Sequence, residues 1–164
     1  MSQDINWISA SGISVALFLL CGAVYVLIGL LTPVLLNRGI GPPILIISNR
    51  TDAVVFGRDP KELLESDPAL AMLRTILLTI IAGLLVTAGC LVIALAWFGL
   101  RGGQAWALAA LTLAGIVVLP FWGLVLRPYI QAGVPLALGD LPPFMLVPTS
   151  LLLPAVILGW IGLR

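Results

Sequence analysis

Side chains that could do chemistry are few in this sequence. It contains no histidine, so the commonest ligand of zinc, copper and haem iron is missing, and so is the usual proton shuttle near neutral pH. Cys21 and Cys90 stand far apart in separate apolar segments, form no C-x-x-C redox pair, and are predicted to be packing residues. A Ser-His-Asp triad is impossible, and neither a phosphate-binding loop nor a zinc-protease motif is present. We therefore expect no enzymatic activity, no metal ion and no cofactor.

Acidic residues are the one group that could build a site from several side chains. Carboxylate oxygens can hold a divalent cation, and they can serve as general acid and base. Asp59 and Asp67 each precede a proline, which is the pattern of a helix N-cap, so a structural role already explains them. An intramembrane enzyme that uses loop carboxylates is therefore only our third functional hypothesis. Its acids would be Asp52, Asp59, Glu62, Glu65, Asp67 and Asp140.

Arginine is the other residue type that could contact a polar ligand, because its planar guanidinium matches phosphate and carboxylate groups. Arg50, Arg58 and Arg127 lie in or beside the two long loops and are our candidate contacts for a polar ligand or a partner. Solvated or snorkelling arginines are the commoner situation. The formal net charge is only +1, which excludes the basic field that binds nucleic acid.

Four apolar segments must position these loop residues. Hydrophobic residues make up 61% of the chain and charged residues 9%, whereas a soluble domain is about half apolar and about a quarter charged. Each segment contains no charged residue and reaches the length of about 20 residues that a helix needs to cross roughly 30 Å of hydrocarbon. The first segment lacks a basic flank and is too long for a signal peptide, so it is predicted to be retained. The segments are 8–31, 75–100, 105–126 and 144–163, and they predict an all-α integral membrane protein with a four-helix transmembrane bundle.

Two loops on the same side of this bundle predict a cap. The long loop 32–74 contains two runs of residues that favour strands, 44–47 and 53–56, separated by turn-forming residues, which predicts a short β-hairpin. A short surface helix is predicted over 60–65, where a proline and an acidic residue follow Asp59. The second loop, 127–141, is unusually apolar, so we expect it to lie on the membrane surface or against the first loop.

Arginines predict the orientation of the cap. Most of the basic residues lie on the cap side, and the positive-inside rule then favours a cytoplasmic cap with both termini outside. The preference for arginine over lysine, with abundant alanine, glycine and proline, is typical of a GC-rich bacterial gene. We therefore expect a bacterial plasma membrane protein.

Missing chemistry, small size and an apolar cap favour a non-catalytic role. Our first hypothesis is a structural or accessory subunit, an interaction module of a larger membrane assembly or homo-oligomer, with the lipid bilayer and that assembly as partners. The alternative is a protein that binds a lipid or another hydrophobic ligand. In that case Pro148 and Pro154 would kink the fourth helix and open a lateral pocket.

Overall fold

A computed structural model describes residues 6–40 and 43–164. Within that part of the chain every regular element is helical. The α-helices are α1 (Ala10–Asn37), α2 (Asn49–Phe56), α3 (Pro60–Ser66), α4 (Pro68–Ala94), α5 (Ala105–Gln131) and α6 (Pro143–Gly162). One π-helical turn, Leu95–Gly99, and one 3₁₀ turn, Leu100–Gly102, extend α4, and a further 3₁₀ turn covers Leu138–Asp140.

Four of these helices are long and apolar enough to cross a membrane: α1, α4 with its extension, α5 and α6. This confirms the prediction of an all-α fold with four such helices. Their bounds extend past the predicted segments on the side that carries α2 and α3. Helix α1 continues through Pro33, whose backbone nitrogen has no hydrogen to donate. The hydroxyl of the neighbouring Thr32 donates to the Ile28 carbonyl one turn back, at 2.7 Å.

The predicted β-hairpin in the first loop is wrong, because its second half is the helix α2. Ser48 caps the start of this helix through its side-chain oxygen, which accepts from the Thr51 amide, and Gly57 ends it with a positive φ of 68°. The run 44–47 is irregular and bends at 45–47, and the amides of 45–47 bond to the Asp52 side chain of α2 and not to a second strand. The sequence did contain this signal, a capping serine and a terminal glycine around the segment.

Helix α1 is the centre of the bundle and packs extensively on α4 and α6. Its contact with α4 depends on glycine: a Cβ built on Gly22 would lie 2.9 Å from the Gly89 carbonyl oxygen, and one on Gly89 would lie 2.6 Å from the Gly22 oxygen. Small residues let two helix backbones approach this closely where lipid gives no hydrophobic driving force. On the other side of α1, the buried Ser14 hydroxyl donates to the Ala155 carbonyl of α6 at 2.6 Å.

Buried apolar residues form two separate clusters, one at each end of the bundle. The larger, called here the turn-side core, lies near the connection of α4 to α5, and the smaller, the cap core, lies beneath α2. The turn-side core consists of Val15, Phe18, Ala96, Leu100, Ala107, Leu108, Leu111 and Ala155. The cap core consists of Ile47, Tyr129 and Val134.

Candidate functional site: the cap

Asp52 is the centre of the cap and is completely buried. Its Oδ2 accepts from the amides of Leu45 and Ile46 at 2.8 and 2.9 Å, and its Oδ1 accepts from the Ile47 amide at 3.2 Å. Three consecutive backbone N–H groups thus converge on one carboxylate from the preceding segment of the same loop. Charge-assisted hydrogen bonds of this kind offset the cost of removing an aspartate from water.

Tyr129 supplies the fourth donor to Asp52 and joins α5 to the cap. Its hydroxyl donates to Asp52 Oδ1 at 2.7 Å, and the whole side chain is buried. Ile47 and Val134 pack against the tyrosine ring from the two loops. Because this residue lies near the end of α5, the Asp52–Tyr129 bond fixes α2 above the end of that helix.

Arg74 makes the matching attachment at α4. Its Nε donates to the Ile44 carbonyl at 2.5 Å, and its guanidinium is also attracted electrostatically to Asp52. The segment 44–52, called here the bridge segment, is therefore bound to α4 at Arg74 and to α5 at Tyr129. It spans the cap ends of these two helices.

An ion pair joins the two loops of the cap. Arg50 in α2 forms a salt bridge with Asp140, and the same guanidinium donates to the Pro135 carbonyl at 2.9 Å. Asp140 also accepts from the Ala137 amide at 2.9 Å and from the Ser48 hydroxyl at 3.3 Å. The Arg50 guanidinium and the Ala137 amide hold the pKa of the Asp140 carboxyl below its ordinary value. These contacts attach the second loop to the first at the amino end of α2.

The three arginines singled out from the sequence have different surroundings. Arg50 is occupied by Asp140, although its side chain remains largely exposed. Arg58 and Arg127 are exposed, and neither makes a hydrogen bond or an ion pair with any residue that the structure describes. No contact brings the three together, and their role in binding stays a prediction.

Most of the loop acids have structural partners. Asp59 and Asp67 cap α3 and α4, since their side-chain oxygens accept from the Lys61 amide at 2.7 Å and the Ala69 amide at 2.9 Å. Within residues 6–40 and 43–164, no three His, Cys, Asp or Glu side chains come together as a group that could hold a metal ion.

No protein-family model, curated protein or solved structure matches this chain. From the sequence, Asp52 is one of six loop acids that could build a carboxylate site, and no role is predicted for Tyr129. Nothing local identifies this pair, because the two residues are 77 positions apart and meet only once α5 and α2 are in place.

The outer surface of the cap carries bulky apolar side chains beside exposed charged ones. Asp52 and Asp140 bond within the cap, whereas Arg50 is largely exposed and Arg58 and Arg127 are exposed. The exposed bulky apolar residues of the cap, called here the outer cap surface, are Ile46, Val54, Phe56 and Leu138.

Proposed function

We propose that this protein is a non-catalytic interaction subunit that docks onto a membrane assembly through its cap. The observation that carries the proposal is the distribution of polarity in the cap. The carboxylate of Asp52 is fully bonded and unexposed, and the acid of the second loop is paired with Arg50. What remains exposed for recognition includes four bulky apolar side chains, Ile46, Val54, Phe56 and Leu138, beside exposed arginines.

The fixed shape of the cap supports this proposal. The bridge segment is bonded to α4 and α5, and the second loop is bonded to α2, so the outer cap surface is held by hydrogen bonds at both ends. A preorganised surface binds with a smaller loss of conformational entropy than a flexible loop. Exposed clusters of bulky apolar side chains typically mark sites of protein or membrane contact.

The proposed location is the bacterial plasma membrane, with the cap in the cytoplasm. This orientation rests on the arginines of the cap side, among them Arg38, Arg58 and Arg127, which are exposed. Arg101 and Arg164 lie on the opposite side, where each guanidinium stacks over a tryptophan ring, Trp97 and Trp160.

Native mass spectrometry after gentle extraction from the source membrane tests the function. We expect a stoichiometric complex with a defined partner, and we expect the Phe56→Glu variant to lose that partner because a charge would be buried at the contact. The matched control is Glu62→Gln in α3, which changes an exposed side chain of the same loop and is expected to retain the complex.

Two outcomes contradict the proposal. One is a monomer from native membrane with no partner in the wild type. The other is a complex that Phe56→Glu and Leu138→Glu both leave intact, which would place the interface on the membrane-spanning helices. A complex made only of copies of this chain would identify the assembly as a homo-oligomer, provided that Phe56→Glu dissociates it.

A further inference from the structure

Helices α4 and α5 follow each other in the chain but pack together only near their connecting turn. There, Ala107 of α5 is fully buried against the extension of α4, where a Cβ built on Gly99 would lie 2.5 Å from its own Cβ. Val125 lies on the same face of α5 about five turns further on, at roughly 3.6 residues per turn. It is 37% exposed, and Ala114 between them is exposed as well. Beyond the turn, α4 does not pack extensively on this face of α5 in the part of the chain that the structure describes.

The two helices diverge because each is held by a different neighbour. The glycine contact at Gly22 and Gly89 holds α4 to α1. Several contacts hold α5 to α6: Leu108 lies against Gly159, Gly115 lies against Leu152, and the rings of Trp122 and Phe144 are 5.8 Å apart. The space between α4 and α5 is called here the lateral groove. The connecting turn closes it at one end and the bridge segment closes it at the other.

Tyr25 of α1 lies at the floor of the lateral groove. It is two turns beyond Phe18 on the same face of α1, and Phe18 is buried in the turn-side core, whereas Tyr25 is only half-buried. Its Cβ is 3.0 Å from a Cβ built on Gly89, which places it beside α4. The Tyr25 hydroxyl has no hydrogen-bond partner among the residues that the structure describes.

The position of Tyr25 limits what can bind to its hydroxyl. Gly89, which lies beside Tyr25, marks the depth of the hydroxyl along α4. The nearest charged residues of α4 and its extension are Arg74 and Arg101, and each is about 18 Å or more from Gly89 at roughly 1.5 Å per residue. A charged headgroup is costly at this depth. The ester oxygens of a glycerolipid stay at the polar boundary, so its chains bring no acceptor to Tyr25. A neutral ring that carries carbonyl oxygens and an apolar tail can reach it.

We propose that the lateral groove binds one quinone-type lipid, with the Tyr25 hydroxyl donating a hydrogen bond to a ring carbonyl. The apolar tail lies along the exposed faces of α4 and α5. This is a binding proposal and includes no electron transfer. It concerns the isolated chain, so it stands or falls independently of the docking function of the cap.

Titration of decylubiquinone into the purified full chain, in phosphatidylcholine nanodiscs, tests the proposal. Saturable binding of one quinone per chain is expected above the phospholipid background. Tyr25→Phe keeps the ring and removes the donor, so its Kd is expected to rise roughly three- to tenfold, the loss of one hydrogen bond. No saturable binding by the wild type, or an unchanged Kd in Tyr25→Phe, would overturn the proposal.

A matched pair of valines tests the location. Val118 is half-buried on the inward face of α5 that carries Leu111 and Tyr129, and Val117, about 100° further around the helix, is exposed. Val118→Trp fills the groove and is expected to abolish binding, whereas Val117→Trp is expected to bind as the wild type does. Equal binding by both variants, each with wild-type helicity, contradicts the assignment. Competition by dioleoylglycerol as strong as by unlabelled quinone would also contradict it.

Discussion

A single carboxylate, that of Asp52, holds the backbone of residues 45–47, which belong to no helix or strand. Four donors reach it: three successive backbone amides and the hydroxyl of Tyr129. Breaking a buried charged interaction on one side is costly because the remaining charge is left without compensation. The cap therefore depends on this side chain more than on any exposed ion pair.

Replacement of Asp52 by asparagine is expected to destabilise the folded state by about 3 kcal/mol, because the amide group cannot accept from all four donors. Tyr129→Phe removes one donor only and should cost about 1.5 kcal/mol or somewhat more. Both values are to be measured as changes in the free energy of unfolding in mixed micelles. A larger loss in Tyr129→Phe than in Asp52→Asn would show that the Tyr129 hydroxyl stabilises the cap more than the full charge of the carboxylate does, and would contradict the central role of Asp52.

Asp140 is expected to make the attachment of the second loop dependent on pH. Its pKa is lowered in the folded state by Arg50 and the Ala137 amide, while in an unfolded chain an aspartate has a pKa of about 3.9. The pair therefore contributes its full stabilisation above the unfolded pKa and loses it as the pH falls through the lower, folded pKa. The amide shift of Ala137 in an NMR titration should have its midpoint below 3.9.

The control for this titration is Asp140→Asn, in which the Ala137 amide should no longer titrate. A midpoint at or above the ordinary aspartate pKa would show that the ion pair with Arg50 is not formed in solution.

At the scale of the elements, α2 shows where sequence reasoning succeeded and where it failed. The N-caps at Asp59 and Asp67 were predictable because a side chain and the amides two or three residues later form them. Residues 53–56 have strand propensity, yet they are helical because a helix brings Asp52 under the amides of 45–47 and Val55 onto the cap core. Tertiary contacts override a weak local preference over so few residues.

The glycine contact between α1 and α4 leads to a prediction at this scale. Gly89→Ala is expected to destabilise the bundle by about 1–3 kcal/mol. Its Cβ would lie 2.6 Å from the Gly22 carbonyl oxygen, and relieving this overlap requires the two helix backbones to move apart. Gly83→Ala on the same helix is the matched control, since a Cβ there meets nothing within 4 Å. In an unfolding titration with dodecyl sulfate, Gly89→Ala should have a lower free energy of unfolding than Gly83→Ala. Equal free energies would mean that α1 and α4 are further apart than described.

At the scale of the whole molecule, the four long helices were predictable from hydropathy alone, because a charge-free apolar run has few other structures open to it. Their partners were not predictable, since hydropathy does not distinguish a face that packs on a helix from one that packs on lipid. Leu111 and Leu113 are equally apolar, but the first is in the turn-side core and the second is exposed. For the same reason the sequence gives no sign of the lateral groove.

Cysteine labelling tests the proposed orientation of the whole protein. In a background without Cys21 and Cys90, Gln104→Cys at the turn should react with an impermeant maleimide in intact cells, because this turn is proposed to lie outside. Glu62→Cys in the cap should react only after lysis. Both positions are exposed. The reverse pattern would place the cap outside the cell.

The bond between Tyr129 and Asp52 also has a consequence for biosynthesis. The tyrosine leaves the ribosome 77 residues after its acceptor, about 4 to 15 seconds later at roughly 5 to 20 residues per second. In the later part of that interval, once residue 94 has been added, α1 and α4 are synthesised and able to pair through their glycines, while the far end of α5 is not yet anchored. A nascent chain in the bilayer thus passes through a stage in which the groove is open at the cap end.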